Sequence, residues 1–80
     1  MYYVYFIRSI NNPDKTYVGY TTNLQERLDT HNAGNSVYTK DDRPWKVVSY
    51  IGFDCQQKAQ DFEKYVKVGS GNAYAKKKFW

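Results

Sequence analysis

The first quarter of the chain places a polar turn between two runs of β-forming residues. Tyr2 to Ser9 is rich in β-branched and aromatic side chains, and Thr16 to Thr21 has the same character. Asn11 to Asp14, between these runs, carries the residue types typical of turns. The pattern therefore predicts a β-hairpin.

The register of this hairpin decides which side chains share a face. With a loop of about five residues, Tyr5 is expected opposite Gly19. The same register puts Tyr17 opposite Ile7, so that Tyr5 and Tyr17 lie on one face. A slip of one residue would separate the two tyrosines onto opposite faces.

A helical pattern follows the hairpin. Thr22 to Gln25 has the residue order of a capping box, and Gly34 is a typical C-terminal stop. Between them Leu24, Leu28 and His31 recur at helical spacing. We therefore predict a first helix with these three residues on one apolar stripe.

Two charged residues of this helix are expected to point in different directions. Arg27 lies on the shoulder of the apolar stripe, about 60° from its centre at 100° per residue. Glu26 points to the far side of the helix. Arg27 can therefore reach a site beside the stripe, and Glu26 cannot easily do so.

The second half of the chain predicts a loop, a strand and a helix. Asn35 to Pro44 is polar and is expected to be a loop, whereas Trp45 to Phe53 returns to strand chemistry. Asp54 is expected to cap a second helix, with Gln57 at the capping-box position and Gly69 at the end. The apolar stripe of that helix consists of Cys55, Ala59, Phe62 and Val66.

The C-terminal segment from residue 70 to residue 80 predicts a short terminal helix. Ser70 or Asn72 would cap it, and Tyr74 and Phe79 would turn inward. The element order is then β-β-α-β-α-α. This order predicts an α/β fold in which a small three-stranded antiparallel sheet is flanked by helices.

Composition limits the class of protein. Eighty residues with 41% hydrophobic content suit one small domain that spans residues 1–80. Cys55 is the only cysteine and His31 the only histidine, which excludes an internal disulfide and leaves no zinc cluster. The apolar N-terminal run is too short for a signal or a membrane span. A soluble protein of the reducing cytoplasm, without membrane contact, is expected.

The net charge of +4 is concentrated at the C-terminal end. From Cys55 to Trp80, six lysines stand against Asp61 and Glu63, which accounts for the whole excess. A basic end suits a polyanion such as a nucleic acid, yet lysines on a helix are more often a solvated face. Charge alone leaves both interpretations open.

Five short motifs follow one another in the first half of the chain. They are Tyr3-Val4-Tyr5, Tyr17-Val18-Gly19, Asn23-Leu24, Arg27-Leu28 and His31-Asn32. Together they resemble the GIY-YIG nuclease superfamily. Arg43-Pro44-Trp45 is similar to its structure-specific branch, which cleaves branched DNA. Phe62-Glu63-Lys64 and the segment from Lys67 to Phe79 resemble small stand-alone bacterial members.

The chain also contains a literal YIG, Tyr50-Ile51-Gly52. In the family, the second triplet belongs on the second hairpin strand, just before the helix that carries the arginine. Tyr17-Val18-Gly19 has that position, whereas residues 50–52 lie on the third predicted strand. We therefore interpret the literal triplet as sheet packing.

The resemblance implies metal-dependent hydrolysis of DNA phosphodiester bonds. Glu63 would hold a single hydrated Mg²⁺ or Mn²⁺, and its alternative role is a surface pair with Lys67 at the fourth position onward. Arg27 would stabilise charge on the phosphate or, alternatively, form a surface ion pair. Tyr17 or Tyr5 would take a proton from water, although each could be a core aromatic instead.

The remaining site residues are less sharply defined. His31 could orient a tyrosine hydroxyl or a phosphate, or be an ordinary histidine at the edge of the core. Contacts to the DNA backbone are assigned to Lys15, Lys40, Arg43, Lys76, Lys77 and Lys78. Two positions depart from the family pattern: Tyr3 replaces the first glycine, and Asn72 is a poor match for a late asparagine.

The sequence as a whole predicts a divalent-metal-dependent endonuclease that acts on DNA, with branched or damaged DNA as candidate substrates. It leaves room for an accessory protein partner. The main rival is a binding module of the same fold that has lost hydrolysis and holds nucleic acid through its basic end. A protein-interaction domain is the third class.

Overall fold

The computed structural model describes all residues from Met1 to Trp80. Three strands form one sheet: β1 (Tyr2–Ser9), β2 (Thr16–Thr21) and β3 (Trp45–Phe53). Three helices accompany it: α1 (Leu24–Asn32), α2 (Gln56–Lys67) and α3 (Gly69–Lys78). The predicted α/β class and the order β-β-α-β-α-α are therefore confirmed. None of the helices combines the length and the apolar character needed to cross a bilayer.

The sheet is antiparallel throughout, and its strand order is β2-β1-β3. The β1–β2 register pairs Tyr5 with Gly19 and Ile7 with Tyr17, as predicted. The β1–β3 ladder has a register shift between Phe6 and Ile7, which the sequence pattern did not indicate. Such a bulge changes the face to which the following side chains point.

The two faces of β1 bury different clusters. Val4 and Phe6 pack against α2 and α3, on what we call the α2–α3 face, together with Ala59, Val66 and Ala75. Tyr5 and Ile7 lie on the opposite, α1 face, in a cluster with Trp45, Tyr17, Val47, Leu24 and Leu28. Burial of each large apolar side chain contributes about 1.5–3 kcal/mol. Because β1 is central and buried on both faces, it fixes the positions of its tyrosines.

The C-terminal end closes the α2–α3 face. Phe79 stacks on Phe6 with ring centroids 4.7 Å apart, and the Trp80 ring meets Phe6 edge-on at 5.2 Å. The inward position of Phe79 is confirmed, but that of Tyr74 is wrong, since Tyr74 is 44% exposed. Ala75 takes the buried position of α3, which leaves the preceding residue at the edge.

The predicted helix caps differ from those observed. Asn23 caps α1 in place of Thr22, with its side chain accepting from the Glu26 N–H at 3.1 Å. Cys55, without a side-chain cap, precedes α2 in place of Asp54. Val68 precedes α3. Neither Ser70 nor Asn72 caps α3, because the helix already begins at Gly69 and both residues lie inside it.

The segment predicted as a loop contains one short helical turn. Residues Lys40–Asp42 form a 3₁₀ helix within an otherwise irregular connection from α1 to β3. The side chain of Asn32 ties the start of β3 to the end of α1, because its oxygen accepts from the Trp45 N–H at 2.6 Å and its amide donates to the Trp45 carbonyl at 3.2 Å. The connection therefore begins and ends at the same place on the α1 face.

Candidate active site

The hydroxyl of Tyr5 lies at the centre of a hydrogen-bonded cluster on the α1 face. Tyr5 is only 2% exposed, because its ring is covered by α1 and β2. The Nε of Arg27 donates to the Tyr5 oxygen at 3.0 Å, and the Nε2 of His31 lies 2.9 Å from the same oxygen. The predicted reach of Arg27 from the shoulder of α1 is thus observed.

Gly19 makes room for the Tyr5 ring. The two residues face each other across β1 and β2, and a Cβ atom on Gly19 would collide with the ring and the hydroxyl of Tyr5. A glycine is therefore required at this position if the Tyr5 hydroxyl is to reach Arg27 and His31. This contact gives a steric reason for the glycine of the Tyr17-Val18-Gly19 triplet.

The literal YIG has a different environment. Tyr50 lies opposite Tyr5 on β3, yet it is 57% exposed and packs edge-on against Tyr3 at 5.8 Å. Its hydroxyl takes no part in the hydrogen bonds of the cluster. A Cβ on Gly52 would meet Met1 and Tyr3, of which Met1 is a flexible, exposed side chain. The interpretation of residues 50–52 as sheet packing therefore agrees with their contacts.

His31 is fully buried and has partners on both ring nitrogens. Its Nδ1 lies 2.7 Å from the Thr39 hydroxyl, opposite the contact with Tyr5. Burial, followed by the positive charge of Arg27, lowers the pKa of His31 to about 4. The imidazole is therefore neutral at physiological pH, where it orients the Tyr5 hydroxyl.

Thr39 was missed by the sequence analysis. It is buried, its hydroxyl meets His31, and its carbonyl accepts from the indole N–H of Trp45 at 2.8 Å. Thr39 lies in the polar connection before β3, where neither hydrophobic spacing nor a motif marks it. Only the return of this connection to the α1 face brings it to His31.

Tyr17 borders the same cluster, and its hydroxyl lies close enough to Arg27 to help raise the pKa of that guanidinium. Its ring centroid lies 6.4 Å from that of Tyr5 and 5.2 Å from that of His31. The ring is half-buried, and its hydroxyl forms none of the side-chain hydrogen bonds described for the cluster. Tyr17 therefore lies beside both Tyr5 and Arg27, at the half-buried edge of the cluster.

The surroundings of Tyr5 and Arg27 determine their charges. Burial raises the pKa of the Tyr5 hydroxyl; Arg27 opposes this rise, and negative charge on Tyr17 or Glu63 adds to it. The hydrogen bond that Arg27 donates to the Tyr5 oxygen is the largest cause that raises the pKa of Arg27 above its ordinary value. Tyr5 consequently stays a neutral phenol and Arg27 stays a cation.

Glu63 approaches the site from α2, although α2 packs on the other face of the sheet. The Lys67 ammonium lies 3.2 Å from the Glu63 carboxylate and 5.7 Å from the centroid of the Tyr17 ring. Since β2 is the outer strand on this side, these side chains reach the α1 face past its edge. The alternative role predicted for Glu63, a pair with Lys67, is therefore present in the structure.

The donor atoms at this site fit only one kind of metal ion. Nowhere in the chain do three or more His, Cys, Asp or Glu side chains converge, so no protein cage for a metal exists. Glu63 supplies a single hard carboxylate, which suits an ion such as Mg²⁺ that retains most of its water and binds substrate phosphate. The set does not suit zinc, which requires several nitrogen or sulfur ligands.

The six basic residues assigned to DNA contacts do not gather at this site. All of them are exposed, and they are Lys15, Lys40, Arg43, Lys76, Lys77 and Lys78. Lys40 begins the 3₁₀ helix that follows Thr39, Arg43 comes directly after that helix, and Lys15 ends the hairpin turn. The three C-terminal lysines form the last turn of α3. The structure thus distributes these charges over several surfaces.

The order β-β-α-β-α-α and the contact between Tyr5 and Arg27 agree with the resemblance to the GIY-YIG superfamily. A family model described as the GIY-YIG catalytic domain matches residues 1–78. The chain belongs to the GIY-YIG family.

Its relatives include small proteins of the UPF0213 group. The chain is 42% identical over 65 residues to the UPF0213 protein YsiG of Lactococcus lactis, covering 79% of this chain and 62% of that protein. It is 39% identical over 70 residues to the UPF0213 protein SH2523 of Staphylococcus haemolyticus, covering 86% and 83%. The solution NMR structure of the UPF0213 protein BH0048 from Bacillus halodurans superposes with a TM-score of 0.56 at 26% identity, covering 99% of this chain and 87% of that one.

Proposed function

We propose that residues 1–80 act as a divalent-metal-dependent endonuclease that hydrolyses phosphodiester bonds in DNA, with branched or damaged DNA as candidate substrates. The observation that carries the proposal is the state of Arg27. Its Nε donates to a neutral phenol, the Tyr17 hydroxyl is a second neighbour, and it takes no part in an ion pair. A guanidinium anchored in this way keeps its full charge and its remaining donors for a phosphate.

Arg27 would stabilise the transition state of hydrolysis. When a water oxygen attacks phosphorus and the opposite P–O bond breaks, negative charge grows on the non-bridging oxygens. A fixed cation at that position lowers the barrier because it is already oriented before the reaction begins. The hydrogen bond from Arg27 to Tyr5 supplies this orientation, and His31 in turn orients the Tyr5 hydroxyl.

Tyr17 is the better candidate for the residue that handles the proton of the attacking water. Tyr5 is buried, its oxygen has two partners, and its pKa is raised, all of which disfavour a phenolate. Tyr17 is only half-buried and lies at the edge of the same cluster, beside Arg27. As a phenolate it would accept the water proton, and as a phenol it would orient the water.

Glu63 would hold Mg²⁺ or Mn²⁺. The ion would supply further positive charge beside the phosphate and beside the leaving oxygen. Cys55 as a lone thiol is consistent with a reducing cytoplasm as the place of action. An accessory protein could contribute to the selection of the DNA.

The second candidate is a nucleic-acid-binding module without hydrolysis. The Glu63–Lys67 ion pair favours it, because Lys67 satisfies the carboxylate that the metal would need. The two functions separate when the purified protein is incubated with labelled single-stranded, duplex and forked DNA in the presence of Mg²⁺, Mn²⁺ or EDTA. Metal-dependent nicking supports the enzyme; retention of intact DNA under all three conditions supports the binding module.

A further inference from the structure

A second group of basic and aromatic residues surrounds Arg8 on the α2–α3 face, on the other side of the sheet from Tyr5. A surface cavity lies here between the hairpin turn and α3. Arg8, Thr16, Asn72, Lys76 and Trp80 contribute to its wall. None of these residues belongs to the candidate active site.

The guanidinium of Arg8 has no hydrogen bond or ion pair within the protein. Its Nε is a buried side-chain nitrogen without any hydrogen bond. The guanidinium carbon lies 5.6 Å from the centre of the Trp80 ring, and Arg8 forms no ion pair. Buried polar groups are almost always hydrogen-bonded, so a guanidinium with unused donors in the wall of a cavity is suited to receive an anion.

The charges around Arg8 point to the same conclusion. Lys46 is its direct neighbour on β3, and Lys76 contributes to the cavity from α3. Like charges placed opposite each other on neighbouring strands repel. The one carboxylate in the cavity wall, that of Asp14, forms no ion pair with these cations. A bound anion would relieve the repulsion and supply the missing hydrogen bonds.

We propose that Arg8, Lys76 and Trp80 form a second phosphate site, which binds the backbone of a single strand of the nucleic acid. Arg8 and Lys76 contact the phosphate, and the Thr16 hydroxyl and the Asn72 amide are neutral donors beside it. Trp80 holds the guanidinium in place through the cation–π contact.

The position of the site selects a single strand over a duplex. Arg8 lies three residues along β1 from Tyr5, about 10 Å, with its side chain on the opposite face. The molecule is 18 Å across its shortest axis. A duplex with a persistence length of about 50 nm does not bend around so small a body, whereas a single-stranded branch can pass around its edge. This inference rests on the proposed function and narrows its substrate to DNA with such a branch.

The two indole N–H signals in a ¹⁵N-labelled sample test the site without any cleavage. Trp80 reports on Arg8, and Trp45 reports separately on the candidate active site, because its indole is bonded to Thr39, the partner of His31. In EDTA, a short single-stranded oligonucleotide should shift the Trp80 signal at far lower concentration than inorganic phosphate does, and a blunt duplex should leave it in place. A response to phosphate but not to the oligonucleotide, or an equal response to duplex, would overturn the proposal.

Variants give the second arm of the test. Arg8→Gln should weaken binding of the single strand about tenfold and reduce the slope of its salt dependence by about one unit. Lys58→Gln makes the same charge change at an exposed lysine of α2 and should alter neither quantity. Lys76→Gln should repeat the effect at an exposed position, which guards against misfolding of Arg8→Gln. Unchanged binding in Lys76→Gln and in folded Arg8→Gln would refute the site, whatever the outcome of cleavage assays.

Discussion

Replacing Gly19 with alanine tests the steric basis of the cluster. The new methyl group would occupy the space of the Tyr5 ring and hydroxyl. Overpacking of this kind costs about 1–3 kcal/mol, and each hydrogen bond that the displaced hydroxyl loses costs about 0.5–1.5 kcal/mol. Since Tyr5 contacts both Arg27 and His31, we expect a total loss of about 2–6 kcal/mol.

Gly52→Ala is the matched control, because it makes the same change in the literal YIG. Its Cβ would meet the thioether end of Met1 and the edge of Tyr3, and Met1 is 69% exposed and free to move. We expect a change within about 1 kcal/mol. Urea unfolding followed by tryptophan fluorescence measures both free energies, and even a loss of about 2 kcal/mol would lower Tm by roughly 8–16 °C in a domain of this size.

A double-mutant cycle identifies the cause of the effect. In a Tyr5→Leu background the space beside residue 19 is partly empty, so Gly19→Ala should then cost much less than in the parent. If Gly19→Ala destabilises both backgrounds equally, or if Gly52→Ala costs as much as Gly19→Ala, the proposed contact between Gly19 and Tyr5 is not what requires the glycine.

Three further predictions concern His31, Arg27 and the tyrosine pair. Because the pKa of His31 falls from 6.5 in the unfolded chain to about 4 in the folded one, stability should be full above pH 6.5 and decline by up to about 3 kcal/mol as the pH falls toward 4. Urea unfolding at a series of pH values should show this slope, and His31→Gln should remove it between pH 5 and 6.5; an unchanged slope would assign it to other groups. Arg27→Ala should lower the single-turnover cleavage rate about 10²-fold or more, and an unchanged rate would end its catalytic assignment. Tyr17→Phe should keep the parental Tm and lose cleavage, whereas Tyr50→Phe, at an exposed ring, should stay within about threefold of the parental rate; the reverse result would mean that the motif is misaligned.

The sheet could be predicted because its information is local. β-Branched and aromatic runs separated by Asn, Pro and Asp fixed both hairpin strands, and the short loop fixed the pairing of Tyr5 with Gly19. The third strand was equally clear, but the register shift between Phe6 and Ile7 in its ladder with β1 was not, because no residue pattern in either strand marks it. The caps were misplaced because several neighbouring polar residues, such as Thr22 and Asn23, can each cap a helix. The end of the preceding strand decides which of them does so.

The candidate site was predictable where one helix or one hairpin carries its members. The shared face of Tyr5 and Tyr17 follows from register, and the placement of Arg27 and His31 follows from helical spacing, whereas their catalytic roles are implied by the resemblance to the GIY-YIG superfamily. The contacts of Thr39 and Lys67 do not, because they depend on how the connection before β3 returns to α1 and how α2 passes the edge of β2. The same limit applies to Arg8, whose missing partner becomes visible only when Trp80 and Lys76 are placed beside it.

The most direct test of the central claim is a nicking assay that compares the only two glutamates in the chain. Forked DNA is incubated with Mn²⁺ and the parent, Glu63→Gln or Glu26→Gln. Glu26 is exposed at the start of α1, where glutamine can serve equally well in the cap. The account predicts nicking by the parent and by Glu26→Gln that EDTA abolishes, and none by Glu63→Gln, which should still bind DNA. Cleavage by Glu63→Gln at the parental rate, or cleavage by the parent that persists in EDTA, would contradict it.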